Sequence, residues 1–337
     1  MKFCDIPFKF LYFDYFDGRV MLCPWMRNPE ATPGNIFESS LEEIWHNERS
    51  RNIRNTILDG SFCLCRPDAC PHIQNSDLMD YDPKEVDRIA ANAIHPTHFN
   101  LAYDYVCNQF CETCRPEKFK VKPQYPKIME IFHKRIAPVL NSAKYISASG
   151  HGDPFASPYT LKLLSEARNP EQVLLETNGV FFDPPHWEKV KHFAEASLSV
   201  IITINSFNEW NYRHISRGGN YARLMQNLDF VAGLRREGKI KSLALTMVIQ
   251  DRNFREMPKF VTRCLNQYGC DQVLLRPVYQ WGTMPEDVFW FKDVLNPLHP
   301  YHGEYLEIME DSALKDPRVY NFAGKSLHPE RPFPCAG

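Results

Sequence analysis

The sequence predicts an α/β protein: a partial, open (β/α)6 barrel of the TIM type, preceded by a small cysteine-rich unit. One observation is the alternation of strand-like and helix-like segments, six times over, between residues 98 and 277. Another is that segments such as Val173-Leu174-Leu175 and Val200-Ile201-Ile202-Thr203-Ile204 are nearly unbroken apolar runs. Such runs suit parallel strands covered on both faces. A third is the clustering of cysteines in front of, and just after, the first of these strands.

In chain order, residues 1–80 form the cysteine-rich unit. Tyr12 to Tyr15, Asp17-Gly18 and Arg19 to Leu22 predict a hairpin with Asp-Gly at its turn. Ser39 or Ser40, followed by Glu42 or Glu43, forms a capping box opening a helix with the stripe Leu41, Ile44, Trp45, Ile53 and Ile57, ended near Gly60. So small a unit usually needs a metal staple. Residues 81–97 read as a linker helix that ends before Pro96. The barrel occupies 98–277, with strands at 98–106, 144–149, 172–177, 198–205, 242–249 and 272–276. Helices fill the gaps at 126–140, 158–168, 185–195, 219–236 and 254–267. Residues 278–337, rich in Pro, Trp, Phe and His, are expected to wrap across the open side of the barrel or its mouth.

Composition excludes several classes of function. The chain of 337 residues is 44% hydrophobic with a formal net charge of −2, so it carries no electrostatic footprint for nucleic acid or an anionic membrane. No apolar run approaches the ~18 residues needed to span a bilayer. The opening Met-Lys-Phe-Cys-Asp-Ile-Pro lacks the apolar stretch of a signal peptide, so a cytoplasmic location with reduced thiols is expected. In that compartment 11 cysteines point to metal binding more than to disulfides.

Cys107-Asn-Gln-Phe-Cys111-Glu-Thr-Cys114 directly follows the first strand. Three thiolates on one short loop can hold three irons of a [4Fe–4S] cube and leave the fourth iron open, the mark of a catalytic centre. Zinc would ask for four protein ligands. Here the chain resembles the radical S-adenosylmethionine (AdoMet) superfamily, whose CxxxCxxC stands in this place. The resemblance covers roughly 98–277 and implies reductive cleavage of AdoMet to a 5′-deoxyadenosyl radical that removes a substrate hydrogen atom. The residue before the last cysteine is usually aromatic in that family and is Thr113 here, with Phe110 or Tyr105 as substitutes.

The strand ends continue the resemblance. Ser149-Gly150-His151-Gly152-Asp153-Pro154 is similar to the family's GGEP segment, which binds the methionine ammonium; His151 replaces its first glycine and Asp153 its glutamate. Glu176-Thr177-Asn178-Gly179 looks like the TNG segment near the ligand. The resemblance implies cofactor contacts for Gly150, His151, Gly152, Asp153, Thr177 and Asn178, a ribose contact for Ser206, and an adenine site around Thr246 to Gln250. Turn chemistry alone accounts equally for such Asn and Ser residues.

Cys4, Gly18 and Cys23 (CX13GX4C), with Cys63, Cys65 and Cys70, resemble the SPASM auxiliary-cluster domain, shortened and set before the barrel instead of after it. That resemblance implies a second, auxiliary [4Fe–4S] cluster, ligated by Cys4, Cys23, Cys65 and Cys70 with Cys63 in reserve, so that the N-terminal unit is an iron–sulfur domain. Structural zinc fits four cysteines equally well by spacing. Cys264 and Cys270 read as buried thiols, and Cys335 as the first cysteine of a further such unit or the completion of a cluster.

The expected function is therefore radical AdoMet chemistry, an oxidoreductase or modifying enzyme supplied with electrons by a flavodoxin or ferredoxin. An auxiliary cluster beside the barrel mouth would accept the electron left on the substrate radical. The substrate is expected to be a carbohydrate-like small molecule, with Trp281, Trp290, His299, Tyr301 and His302 lining its pocket or merely packing. A peptide or protein side chain is the runner-up, and a non-enzymatic zinc-stapled binding module the reading from another class. No residue is singled out as general acid or base.

Overall fold

A computed structural model describes residues 1–14, 16–26, 29–67, 70–280 and 282–322. Trp281 and Cys335 lie outside the described residues. Twelve strands are present among them: β1 (Lys2–Phe3), β2 (Phe10–Phe13), β3 (Arg19–Met21), β4 (Gly34–Asn35), β5 (Met79–Asp80), β6 (His98–Leu101), β7 (Tyr145–Ala148), β8 (Gln172–Thr177), β9 (Ser197–Thr203), β10 (Ser242–Ile249), β11 (Gln272–Pro277) and β12 (Val319–Asn321). Ten of them form one sheet in the order β12-β11-β10-β9-β8-β7-β6-β2-β3-β4. The edges β12 and β4 do not pair with one another, so the sheet is open, as a partial barrel requires.

The helices are α1 (Leu41–His46), α2 (Glu48–Leu58), α3 (Pro71–Gln74), α4 (Pro83–Asn92), α5 (Tyr125–Leu140), α6 (Pro158–Glu166), α7 (Pro184–Val190), α8 (Glu209–Ile215), α9 (Tyr221–Arg236), α10 (Met257–Asn266), α11 (Glu286–Lys292) and α12 (His302–Met309). The expected helix over 41–57 exists but breaks at Asn47, whose side chain accepts from the Ser50 amide and so caps α2. Ser40 and Glu43 form the capping box of α1. Helix α8 was not legible in the pattern.

Two features depart from a six-stranded barrel with a separate unit in front. A further parallel strand, β12, pairs with β11 in the stretch expected only to wrap across the barrel. The N-terminal hairpin also joins the barrel sheet, because β2 runs parallel to β6 with Tyr12 opposite Asn100. The sheet thus crosses the expected boundary at residue 80, while β1 and β5 tie the two ends of the N-terminal unit together. Gly18, the glycine of the CX13GX4C spacing, has φ +84°, and a Cβ there would lie 2.5 Å from Asn35 Oδ1 and 2.8 Å from the Phe37 ring. Only glycine closes the hairpin against β4 and its sequel.

Strand register separates two faces. Leu11, Phe99, Ile146, Val173, Leu198 and Leu243 stand on the face covered by helices and are buried. The other face carries the polar groups of the sheet: Asn100, Ser147, Glu176, Thr203, Thr246 and Arg276 project from it. Leu174, Ile201, Ala244 and Leu274 stand on this second face as well, so the runs read from the sequence are apolar on both sides there, with the polar groups set among them. Arg276 on β11 donates to Glu176 on β8 at 2.5 Å although β9 and β10 lie between them, a separation of about 14 Å in a flat sheet. Side chains standing off one face meet over that span only if the sheet curls toward it, and this inner face is the lumen.

Because β2 covers the edge of β6, a chain starting at residue 81 would expose β6 as an unpaired strand beside unfilled apolar surface. Residues 81–337 expressed alone are expected to be insoluble or to elute as aggregates in size-exclusion chromatography. A folded, monodisperse fragment would show that the pairing is dispensable.

Candidate metal centres and cofactor site

The segment that leads from β6 to the first cysteine is held by Asp104. This buried carboxylate accepts from Tyr125 Oη at 2.7 Å, Thr160 Oγ1 at 3.1 Å, the Val106 amide at 3.0 Å and the Ser157 hydroxyl. It pins the approach to the loop onto α5 and α6. The loop itself docks on the end of α8 and the turn after it: the Phe110 amide donates to Arg217 O at 2.9 Å and the Glu112 amide to Ile215 O at 2.8 Å. Arg217 returns a bond to Phe110 O at 3.1 Å and lies over the Phe110 ring at 5.0 Å. At Gly219 a Cβ would stand 2.3 Å from Tyr212 Oη and 2.7 Å from Gln109 Nε2, two groups that bond each other at 2.9 Å. Arg217 and Gly219 thus form the seat of the loop. An Arg-Gly-Gly turn (Arg217 to Gly219) is the only trace of it in the sequence.

On that seat Cys107 and Cys111 are partly buried and Cys114 is exposed. Burial, then the charge of Cys114, pushes the Cys111 thiol up to about 12. Burial, then the charges of Asp153 and Cys111, raises Cys107 as well. Among the described residues no three of these side chains stand at metal-binding distances from one another, so what fits an iron–sulfur group is the chemistry of the donor set, three cysteines on one short loop. Asn178 donates to Cys107 Sγ at 3.7 Å and to Asn108 Oδ1 at 2.8 Å, bracing the loop from the end of β8. Phe110 faces Arg217 and Tyr105 stacks on His151 at 4.5 Å, so neither aromatic substitute for the position of Thr113 stands free.

The expected AdoMet side chains are largely committed to the fold. Both oxygens of Asp153, which is 3% exposed, are taken: Oδ1 accepts from the Phe155 and Ala156 amides at 3.0 and 3.2 Å, and Oδ2 from Thr177 Oγ1 and the Asn178 amide at 2.7 and 2.8 Å. Burial pushes this carboxyl up, and the four donors pull the other way. Thr177 is thereby committed too. Ser206 donates to Glu256 Oε2 at 2.6 Å and to Asn208 O at 3.1 Å. His151 lies 3.0 Å from Asp14 at the end of β2. The glycines are explained by packing: a Cβ on Gly150 would meet Ala102 Cβ at 2.4 Å, and one on Gly152 would meet the Asp104 and Val106 carbonyls at 2.5 Å. The polar atoms left without a partner are a different set. Asn100 Oδ1, Thr246 Oγ1 and both amide atoms of Gln250 are buried without a hydrogen-bond partner.

In the N-terminal unit Cys4, Cys23, Cys65 and Cys70 line one pocket with Ile6, Trp25, Met26 and Phe62. Cys63 does not line it. Burial pushes Cys23 up to about 12 and Cys4 to about 11, and Cys65 is raised by burial and then by Cys23, Cys4 and Cys70. Cys4 also lines a second pocket with His98, Tyr145 and Gln172, the first residues of β6, β7 and β8. This set therefore sits at the N-terminal ends of the strands, whereas the Cys107 loop follows their C-terminal ends. An auxiliary site beside the mouth is not what the fold provides. The five steps from Tyr145 to Gly150 correspond to about 17 Å along the sheet. Cys264 and Cys270 are buried, as read.

The aromatic tail packs on itself. His299 lies 5.7 Å from Trp290 and 5.4 Å from Tyr301, and His302 bonds Val294 O. Tyr301 stacks on Phe254, so the described tail rings are engaged with one another and with the segment after β10.

Asp153→Ala would leave the Thr177 hydroxyl and the Asn178, Phe155 and Ala156 amides without their acceptor. At about 1–3 kcal/mol for an unsatisfied buried group, a loss of about 3–5 kcal/mol in unfolding free energy is expected, measured by denaturant titration. Unchanged stability would show that the carboxylate does not hold the strand ends together.

Residues 4–71 match the family model of the SPASM iron–sulfur cluster-binding domain. No curated protein sequence matches the chain. Among solved structures, Streptococcus suis SuiB bound to S-adenosylmethionine is similar at 10% identity, over 81% of this chain and 62% of that one, with a TM-score of 0.47. SuiB bound to the precursor peptide SuiA gives 11%, 87%, 65% and 0.48 for the same measures. Methylornithine synthase (PylB) gives 11%, 66%, 67% and 0.37. The chain thus spans somewhat under two thirds of the SuiB chains it resembles. The stretch that matches the SPASM iron–sulfur cluster-binding model, residues 4–71, is the one in which four cysteines gather in one pocket.

Proposed function

We propose that this chain is a radical AdoMet enzyme in which Cys107, Cys111 and Cys114 hold a [4Fe–4S] cluster and Cys4, Cys23, Cys65 and Cys70 hold an auxiliary one. The observation that carries the reading is a loop of three cysteines, seated by Asn178 and Arg217, that follows the C-terminal end of a parallel strand, where barrel active sites lie. When bound, the cluster and AdoMet supply a 5′-deoxyadenosyl radical that removes a hydrogen atom from the substrate. The protein's own part is to seat the loop, through Asp104, Asn178 and Arg217, and to offer the ligand Gly150–Gly152 backbone. Asp153 and Ser206 act as supports of that site. Thr246 and Gln250, buried and unpartnered, are the side chains proposed to meet the nucleoside.

The lumen face favours a neutral, hydroxyl-rich small molecule such as a sugar or cyclitol. It offers Asn100, Ser147 and Thr203 as hydrogen-bonding groups, and its charged pair, Glu176 and Arg276, is already internally neutralised. Such a substrate would lie between the two cysteine sets, within reach of an oxidising auxiliary cluster from below. The electron donor is proposed to be a flavodoxin or ferredoxin. Among the described residues no helix is long and apolar enough to cross a membrane.

Replacing Cys107, Cys111 and Cys114 together by Ala is expected to abolish formation of 5′-deoxyadenosine from AdoMet under strong reductant. In wild-type protein, deuterium from a labelled sugar or cyclitol is expected to appear in that product. Cleavage persisting in the triple variant would refute the radical reading, and label transfer from peptides but not polyols would refute the substrate class.

A further inference from the structure

Glu112 stands between Cys111 and Cys114, and its surroundings are unusual for a loop residue. The last residue of α11, Lys292, is 4% exposed and extends its ammonium to Glu112 Oε1 at 2.8 Å and to Asp251 Oδ1 at 3.0 Å. Lysines are almost never buried to this degree unless paired. Arg252 Nε lies 3.5 Å from Glu112 Oε2, facing it without a hydrogen bond, and its guanidinium stands over Trp210 at 5.7 Å. The Asp251 amide donates to Lys292 O at 3.2 Å, so backbone and side chain both join α11 to the end of β10. Two cations and two carboxylates therefore form a closed set of zero net charge against the cysteine loop.

Burying such a set costs desolvation that its Coulombic attraction does not clearly return, and apolar residues of similar volume would fill the space as well. Stability alone is thus a weak reason for it. Lys292 and Asp251 are shielded from water and Glu112 and Arg252 partly so, and Glu112 is the residue next to Cys111, so these charges act on a redox group held by the loop with less screening than charges in open water. We propose that Lys292 is a positioning residue for the Cys107–Cys114 loop and that, by neutralising Glu112 there, it sets the reduction potential of the cluster the loop holds. The inference rests on the proposed cluster assignment and adds to it a role for the C-terminal segment.

Adding an electron to the cluster from an external reductant such as dithionite adds one negative charge. Lys292→Met leaves Glu112 and Asp251 against Arg252 alone, a net charge of −1, so reduction is opposed and the midpoint moves to more negative values. Glu112→Gln leaves a net charge of +1 and moves the midpoint to less negative values. The double variant is neutral again and returns close to the wild-type midpoint.

The experiment is a potentiometric titration of the anaerobically reconstituted full chain, followed by electron paramagnetic resonance. Iron content is measured in parallel, and the loop cluster is identified by the change AdoMet causes in its signal. Opposite shifts in the two single variants with cancellation in the double variant are the expected result, a pattern that a purely structural role does not generate. Equal midpoints in all four proteins, or shifts of the same sign in both single variants, would overturn the proposal while leaving the cluster assignment intact. If Lys292→Met fails to keep its iron, the sign of the Glu112→Gln shift decides, because Lys292 then retains Asp251 as its partner. If the wild-type protein shows no AdoMet-sensitive cluster, both this proposal and the cluster assignment fall.

Discussion

The arrangement of the mouth depends on one buried carboxylate. Asp153 follows β7, takes hydrogen bonds from the start of the next turn, and reaches across to Thr177 and Asn178 at the end of β8. Its own amide donates to Val106 O, one residue before the first cysteine of the loop. Three chain segments that are far apart in sequence are thereby fixed to one another at the place where a ligand would bind. Because the group is shielded from water, every donor it satisfies would otherwise be left unpaired. Asn178, held this way, is then able to brace Cys107.

The second organising feature is that the two cysteine sets occupy opposite ends of one sheet. The N-terminal unit that matches the SPASM model does not hang beside the barrel; its hairpin extends the barrel sheet through β2 and β6, with Cys4 beside the first residues of β6, β7 and β8. The polar lumen face runs between the two ends, floored by the rings of Phe10, His98 and Tyr145, which lie within 6.2 Å of one another. Burial, then the charge of Lys9, lowers His98 to about 4, so this floor is neutral near pH 7. A radical generated at one end and an electron acceptor at the other would leave a substrate held in the middle.

Much of the barrel was legible because its signals are local. The apolar runs of β8, β9 and β10 and the helices after them are set by residues close in sequence, and the structure has them within a few residues of expectation. The β2–β6 pairing and β12 were not legible, since short strands of three or four residues joined over long separations leave no periodicity to read. The position of the cysteine loop after the first barrel strand was legible from the sequence. The roles of Asp153, Thr177 and Ser206 were not, because a motif records which residue stands at a strand end and not whether its oxygens face a ligand or a backbone amide. Lys292 gave no signal either, since nothing in a sequence of ordinary composition marks a lysine that is buried against a loop 180 positions earlier.

The central claim, two iron–sulfur centres on one sheet with only the loop cluster open to AdoMet, is tested most directly by iron analysis and electron paramagnetic resonance of the reduced, anaerobically reconstituted protein. About eight irons are expected in wild type and about four in Cys65→Ala, with a signal in both that changes when AdoMet is added. Cys63→Ala, which alters a cysteine outside the pocket, is expected to retain about eight. Loss of the AdoMet-sensitive signal in Cys65→Ala, or zinc in place of iron at the loop, would contradict the account.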